Sequence, residues 1–289
     1  MRKRTVARAV SLVLVTLLAI GILLPVYWMI KGGFESIVGA MKVPPAFLPR
    51  ITLENYKVIF GAPSTVGRFR SLTPTKYPVF RWYLNSFIVA GCATFLVVLC
   101  SCMAGYVFAK KEFPAKNIFF WLMLITMMIP FQVTLIPRYL MMRSLGLVNT
   151  YPGIFLPMAC GAGGMFLARQ YMSTIQSDLI DSARIDGAGE LRIFFQIILP
   201  IAKPLVACLT IFTFCGAWND FLWPLIMTTA ELMRTLPIAI ASISAMPGEL
   251  IDIGIAMAGA TLVALPMYVI FFSFQKYFVK GITLGGVKG

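Results

Sequence analysis

Six long apolar stretches dominate this sequence and leave few choices for its fold. A helix needs roughly 20 mostly apolar residues to cross the hydrocarbon core of a bilayer, where lipid offers no hydrogen bonds to irregular backbone. Of the 289 residues, 59% are hydrophobic and 12% charged, whereas an average soluble domain is about 25% charged. The pattern predicts an all-α, polytopic membrane protein with six transmembrane helices, at about residues 9–30, 84–109, 118–140, 151–171, 204–228 and 254–276.

The ends of these stretches predict how the chain is arranged across the membrane. The first stretch follows MRKRTVAR, but it is too long for a signal-peptide core and no small-residue cleavage site follows, so we expect a retained span. The distribution of lysine and arginine favours cytoplasmic termini. The expected order is an amino tail, a first transmembrane helix, an extracytoplasmic segment, a transmembrane core and a carboxyl tail, at residues 1–8, 9–30, 31–83, 84–276 and 277–289.

Histidine is absent, which excludes His-based acid–base catalysis, His-containing triads and His metal sites. The six cysteines lie in apolar stretches without a C-x-x-C pair, so we expect small buried hydrophobes, no disulfide and no metal. The formal net charge is +14. Because the basic residues cluster at the ends of apolar stretches, as Lys110 and Lys111 do, they indicate anchors to membrane lipid and argue against nucleic acid.

Prolines interrupt several of the apolar stretches. Neighbouring helices in a membrane bundle can satisfy the carbonyls that proline leaves free, so each one either shapes a pathway or is a packing irregularity. These prolines are Pro25, Pro130, Pro137, Pro157, Pro224 and Pro266.

Residues 172–203, which we call the coupling segment, differ in composition from the apolar stretches on either side. Asp178 can cap a first short helix, and Asp181 lies where a carboxylate stabilises the positive end of that helix. Gly187 then permits a turn. The expected apolar side of this first helix consists of Leu179, Ile180 and Ala183.

A second helix is predicted after Gly187, because apolar residues recur at i, i+3, i+4 and i+7. Pro200 and Pro204 then redirect the chain into the fifth stretch. A bent helical pair at the membrane surface suits docking into a groove of another protein, or it is an ordinary interfacial amphipathic segment. The expected apolar face of the second helix is Leu191, Phe194, Phe195 and Ile198, with Glu190, Arg192 and Gln196 opposite.

The coupling segment resembles the EAA loop of binding-protein-dependent ABC importers, whose pattern is E-A-A, three residues, G and a closing L-P. An aspartate replaces the first acid here, and a serine replaces the first alanine. The residues at the E-A-A are Asp181, Ser182 and Ala183; those that match the D-G-A of the carbohydrate branch are Asp186, Gly187 and Ala188; Leu199 and Pro200 match the L-P.

Other passages resemble the maltose-type permease subunit of carbohydrate-uptake importers, so that the similarity covers nearly the whole chain. They are WYLNSFIVA (82–90), IPFQVTLIPRYLMMRSLGLVNTYPGIFLP (129–157), WNDFLWPL (218–225) and GITLGGVKG (281–289). The resemblance implies the MetI-like permease fold in the plasma membrane of a prokaryote, which is the inner membrane in a Gram-negative cell.

The resemblance also implies partners. A second permease subunit would complete a heterodimeric pathway, two ATP-binding-cassette ATPase subunits would bind the coupling segment, and an extracytoplasmic solute-binding protein would deliver a sugar, oligosaccharide or related solute. ATP and magnesium would be bound by the ATPases, because no G-x-x-x-x-G-K-[ST] occurs in this sequence. We expect no catalytic residue and no cofactor in this chain. The family's carboxyl tail adds an expected ATPase contact at Gly285, Gly286, Val287, Lys288 and Gly289.

Polar residues inside the predicted spans are candidates for a solute pathway, because such groups are costly in lipid. Aromatic residues near span ends are also common interface anchors, which leaves a second interpretation for tryptophan. The candidates are Asn85, Gln132, Trp218, Asn219 and Asp220.

Two other classes of function fit the sequence less well. A stand-alone secondary transporter or channel usually carries several ionisable groups in mid-membrane, and Asp220 is the only acid within a predicted span. An intramembrane enzyme would need a nucleophile and base, and no such pair is recognisable.

Overall fold

The computed structural model describes residues 2–36, 46–48, 51–61, 77–244 and 253–286, with side chains at all of these except 2–7, 244 and 274–286. Within these ranges the chain forms helices and turns and no β-strand, which confirms the all-α prediction. The helices are α1 (Arg2–Gly33), α2 (Glu54–Ile59), α3 (Val79–Lys110), α4 (Lys116–Met128), α5 (Phe131–Ser144), α6 (Tyr151–Met158), α7 (Ala162–Ser173), α8 (Asp178–Ile185), α9 (Glu190–Ile201), α10 (Lys203–Asn219), α11 (Leu222–Met227), α12 (Leu236–Ser244) and α13 (Ile253–Gly286), with a 3₁₀ turn at Glu231–Met233.

Among the described residues, three helices are long and apolar enough to cross a membrane as single helices: α1, α3 and α13. The described part of the chain holds up to six spans if each of three bent helix pairs is one span, in agreement with the predicted number. The pairs are α4 with α5, α6 with α7, and α9 with α10, bent by 102°, 47° and 81°. The stretches expected at 118–140, 151–171 and 204–228 are therefore not continuous helices.

Prolines lie at or near all three of these breaks and leave other helices intact. Pro130 is the N-cap of α5 at the sharpest break, where its missing N–H and fixed φ suit a helix start. Pro157 lies in the 3₁₀ turn that ends α6. Pro25, Pro137 and Pro266 lie inside α1, α5 and α13 without ending them, so they do not break these spans.

The chain divides into two compact units, residues 1–79 with 237–266 and residues 80–236 with 267–289. In the first unit, the end of α1 packs against the start of α13. A Cβ added at Gly33 would lie 3.0 Å from the Cα of Ala258. The Asn55 amide donates to the carbonyl oxygens of Gly33 and Glu35, at 3.0 and 2.8 Å. The small residues of α13 therefore form a packing face.

In the second unit, a buried cluster that we call the coupling core joins α3, α7, α8, α9 and α10. Gly105 lets α3 approach α7 closely, because a Cβ there would lie 2.4 Å from the Cβ of Ala168. The cluster therefore packs the coupling segment directly onto three predicted spans. Its members are Cys102, Tyr106, Ala168, Met172, Ile175, Ile180, Ala183, Ile193, Phe194, Ile198, Ala202, Leu205 and Leu209.

The cysteines only partly follow the expectation that they are small buried hydrophobes. Cys102 is buried in the coupling core. Cys160 is exposed, so that expectation is wrong for it. Because Cys160 lies in the irregular break between α6 and α7, it has fewer neighbours than a residue inside a packed helix. The remaining four are half-buried.

Candidate coupling site

Helix α8 begins the candidate site, but Asp178 does not cap it. Ser177 occupies the cap position in helical φ/ψ, and Asp178 is the first helical residue. Asp178 and Asp181 both lie in the first turn, where their carboxylates face the positive end of the helix. The Ser182 hydroxyl donates to the carbonyl oxygen of Asp178 at 2.7 Å. The start of α8 is therefore stabilised by charge and by its own backbone.

The turn after α8 is a Schellman motif, which explains the glycine. Gly187 has a φ of +80°, a left-handed conformation that glycine adopts without a steric penalty. The Ala188 N–H donates to the Ala183 carbonyl at 2.9 Å, and the Gly187 N–H donates to the Arg184 carbonyl at 3.0 Å. These two bonds satisfy carbonyls that a helix end would otherwise leave free. Gly187 therefore forms the predicted turn.

The side chains of α8 and the turn separate into two sets. Ile180 and Ala183 face the coupling core, and Ala188 packs on its edge. Leu179 is 46% exposed, so its expected burial on the apolar side is wrong; it lies about 100° around the helix from Ile180, at the edge of that side. We call the outward set the coupling surface: Leu179, Asp181, Ser182, Ile185, Asp186 and Gly187.

Ile185 is the residue of this surface that sequence reasoning missed. Its side chain is 87% exposed, directly before Asp186 and the Gly187 turn. An isoleucine so exposed at a helix end suits insertion into an apolar pocket of a partner. The available signal was its spacing: Ile185 lies five residues after Ile180, about 140° away around the helix, so both cannot face one core.

The apolar face of α9 differs from the predicted one. The buried residues are Ile193, Phe194 and Ile198, whereas Leu191 and Phe195 are 65% and 47% exposed. The cause is a π-turn over Phe194–Ile198, in which the Leu199 N–H bonds to the Phe194 carbonyl. A wider turn advances each residue by less than the α-helical 100°, so the stripe rotates. Glu190, Arg192 and Gln196 are exposed as expected.

Pro200 accounts for the π-turn and the bend that follows. A proline has no N–H to donate, and its ring would clash with the carbonyl of Gln196 in a regular helix. Leu199 packs against the coupling core, while Pro200 is exposed. The 81° bend to α10 comes immediately after, at Ala202. The predicted redirection of the chain by prolines is therefore present.

Glu190 gathers charged and polar groups from three elements into what we call the Glu190 cluster. Its carboxylate accepts from the Tyr106 hydroxyl at 3.0 Å and pairs with the Lys111 ammonium. The Arg184 guanidinium lies 3.2 Å from Glu190 and 3.0 Å from the Asp181 carboxylate. The Lys111 ammonium is the largest cause that holds the pKa of the Glu190 carboxyl below its ordinary value. The cluster links the coupling surface to the end of α3.

Two lysines that were interpreted as lipid anchors belong to this link. Lys111 pairs with Glu190, and the Lys110 ammonium donates to the Ile175 carbonyl oxygen. The anchor interpretation is therefore wrong for these two, because their side chains turn toward the coupling segment. This contact could not be predicted from the sequence, because Lys111 and Glu190 are far apart along the chain.

Two of the five candidate pathway residues are buried within the chain. The Asn85 side chain has no exposed surface; its amide donates to the carbonyls of Leu232 and Arg234 at 2.8 Å, and its oxygen accepts from Tyr151 at 2.7 Å. Trp218 is 1% exposed and packs on Phe87. Both side chains are thus engaged in holding helices together.

The other three candidates present polar atoms at the chain's surface. Gln132 and Asn219 are exposed, and Asn219 also donates to the Cys215 carbonyl at 2.8 Å. Asp220 is half-exposed at the break between α10 and α11, with its carboxylate facing the backbone N–H groups that begin α11. Among the described residues, these three candidates thus differ from Asn85 and Trp218 in their exposure.

The expected tail contact lies at the edge of the described residues. Gly285 and Gly286 form the end of α13, so the helix continues into the predicted tail. Residues 287–289 lie outside the described part.

Bent apolar helices that carry an exposed helical segment with a glycine turn are typical of a class of membrane transport subunit, and comparison with known proteins supports that class. The family model described as "Binding-protein-dependent transport system inner membrane component" matches residues 98–284. The arabinooligosaccharides transport system permease protein AraQ of Bacillus subtilis is 40% identical over 210 residues, covering 73% of this chain and 74% of AraQ. The sn-glycerol-3-phosphate transport system permease protein UgpE of Brucella abortus is 30% identical over 283 residues, covering 97% and 98%.

A solved structure supports the fold. The crystal structure of a bacterial ABC transporter involved in the import of the acidic polysaccharide alginate contains a chain that superposes with a TM-score of 0.78 at 23% identity, covering 96% of this chain and 98% of that one. The chain belongs to the family of inner membrane components of binding-protein-dependent transport systems. The family predicted from the EAA-like segment is confirmed.

Proposed function

We propose that this permease subunit imports a sugar, oligosaccharide or related polar solute, driven by ATP that partner subunits hydrolyse. The names of the relatives, which specify arabinooligosaccharides and sn-glycerol-3-phosphate, support that solute class. A second permease subunit completes the pathway, and an extracytoplasmic binding protein delivers the solute. Both termini and the coupling surface face the cytoplasm. Gln132, Asn219 and Asp220 are the better placed of the candidate residues to contact solute.

The proposal rests on one observation: α8 exposes the coupling surface on one side and buries Ile180 and Ala183 in the coupling core on the other. Two ATP-binding-cassette ATPases bind ATP and magnesium, and one of them receives Ile185 with Asp181 and Asp186 around it. Because Ala183, Ile180 and the α9 face bury themselves in the same cluster, a push on α8 is delivered to α3, α7 and α10. Discrete movements of packed elements of this kind couple distant sites. The carboxyl end of α13 adds a second ATPase contact.

The test is to purify the complete importer with Ile185→Asp and with Ile185→Leu as the matched control. A charge in an apolar pocket is costly, so we expect Ile185→Asp to lose the ATPase subunits and ATP-driven uptake into vesicles, and Ile185→Leu to keep both. The proposal is wrong if the Ile185→Asp complex keeps its ATPases and full uptake, or if wild-type vesicles take up solute at full rate without nucleotide.

A further inference from the structure

The connection between α3 and α4 forms a pocket whose lining includes none of the candidate coupling or pathway residues. Its volume is about 350 Å³, and its lining includes Glu112, Lys116, Asn117 and Arg169. It lies on the same face of the second unit as the coupling segment, because the adjacent Lys110 and Lys111 contact Ile175 and Glu190. A connection between two spans also lies at the level of the lipid headgroups.

Arg169 is held in this pocket in a way that prepares it for an anion. Its guanidinium lies 3.7 Å from the ring centroid of Phe120, and the residue is half-buried. Within the described part of the chain, this guanidinium donates no hydrogen bond and forms no ion pair. The ring covers one face of the planar guanidinium and leaves its N–H edges available, which suits bidentate binding of a phosphate.

The charges around the pocket favour a negative ligand. The Lys116 side chain is only 13% exposed, and its ammonium pairs with the Glu112 carboxylate at 2.9 Å. The Glu112 side chain is 91% exposed, so water screens much of its charge. The two cations, Lys116 and Arg169, outnumber the one acid of the lining.

An apolar stripe continues from the pocket along α4. Ile118 lines the pocket. Positions i, i+3, i+4 and i+7 from it share one face of the helix. All four of these residues are exposed, at 63%, 64%, 55% and 51%: Ile118, Trp121, Leu122 and Ile125.

We infer that the pocket binds the headgroup phosphate of an anionic phospholipid at Arg169, with its acyl chains along this stripe. Basic pockets between transmembrane helices recognise anionic headgroups in this manner. The stripe places acyl chains directly beside the pocket, which favours a lipid over free phosphate. The inference does not depend on which solute the importer carries.

The experiment titrates the purified importer in neutral detergent with phosphatidylglycerol, phosphatidylcholine of the same chains, or inorganic phosphate, and follows binding by native mass spectrometry. Arg169→Gln should weaken phosphatidylglycerol binding about ten- to hundred-fold, the range for losing a charged hydrogen-bond pair. Arg138→Gln is the matched control, since Arg138 also lies over a ring, 5.0 Å from the centroid of Phe131, but away from the pocket. It should leave binding unchanged.

Three outcomes overturn the inference: equal effects of Arg169→Gln and Arg138→Gln, displacement of phosphatidylglycerol by inorganic phosphate, or loss of the second permease from the Arg169→Gln complex. The last outcome would assign this face to a protein partner. A preference for phosphatidylglycerol over phosphatidylcholine that depends on Arg169 supports it. Should the Arg169→Gln chain itself fail to insert or fold, Lys116→Gln carries the same expected loss, and unchanged binding there overturns the assignment.

Discussion

At Gly187 the backbone adopts a φ of +80°, and a Cβ added there would meet nothing within 4 Å, so conformation rather than space selects glycine. A β-branched residue in this region costs about 1–2 kcal/mol or more. Gly187→Val should therefore distort the turn and reduce ATP-driven uptake and binding-protein-stimulated ATPase activity severalfold, while the chain still inserts and assembles. Vesicle uptake and ATPase assays measure both quantities.

The matched control for that change is Gly189→Val, two residues away. Gly189 has a φ of −70° and a ψ of 159°, which valine adopts readily, and a Cβ there also meets nothing within 4 Å. Transport should survive this substitution. Equal losses at both positions would show that the side chain obstructs docking and that the left-handed turn is not the reason.

Glu190 is a second single residue with a testable role, because its charged carboxylate is expected to contribute to coupling. Its pKa is lowered in the folded chain, so the stabilisation is present above the ordinary value of 4.5 and is lost as pH falls through the lowered folded value. From pH 6 to 8 the carboxylate stays charged. Glu190→Gln should therefore impair coupling by the same factor at pH 6 and pH 8, measured as uptake per ATP hydrolysed. An effect that disappears at pH 6 would contradict this assignment.

At the scale of elements, hydrogen bonds of the Asn85 side chain connect α3 to the chain before α12 and to α6. Replacing it by leucine leaves the carbonyls of Leu232 and Arg234 and the Tyr151 hydroxyl without this partner, at a cost of about 0.5–1.5 kcal/mol for each of these part-buried bonds. Asn85→Leu should lower the melting temperature of the purified importer. Asn219→Leu, which removes one exposed bond, should lower it less. A thermal unfolding scan compares them, and the reverse order would contradict a structural role for Asn85.

The two helices of the coupling segment show what periodicity can and cannot predict. The turn at Gly187 was predictable, because glycine after an acidic short helix indicates a left-handed C-terminal cap. The face of α9 was not, because apolar spacing was read at 3.6 residues per turn and the π-turn before Pro200 widens that repeat. A proline inside a periodic pattern is a warning that the register changes on its amino-terminal side.

At the scale of the whole molecule, the apolar stretches predicted the number of spans but not their breaks. The 102° break at Pro130 lies inside one predicted stretch, because hydropathy averages across it. Contacts between distant residues were also hidden, since Lys111 and Glu190 meet only after α3 and the coupling segment fold together. The coupling motif was visible because its residues are consecutive.

The coupling core predicts that α7 and α9 move as one body during transport. Spin labels at Ser173 and Arg192, both exposed and both in the second unit, should give the same distance distribution in nucleotide-free and ATP-trapped importer. Pulsed electron paramagnetic resonance measures this distance. A label pair between Arg192 and the second permease serves as the control that the complex has moved. A change within the Ser173–Arg192 pair would mean that the core deforms.

Helix α1 stands apart from these constraints, because none of the residues in its most apolar 18-residue window is buried by the chain itself. The size of its side chains is constrained by packing near its end, where Gly33 lies close to Ala258. Over most of its length, any apolar side chain is compatible with the surrounding lipid. Exchanging one apolar residue for another in this window is therefore expected to leave the packing within this chain unchanged.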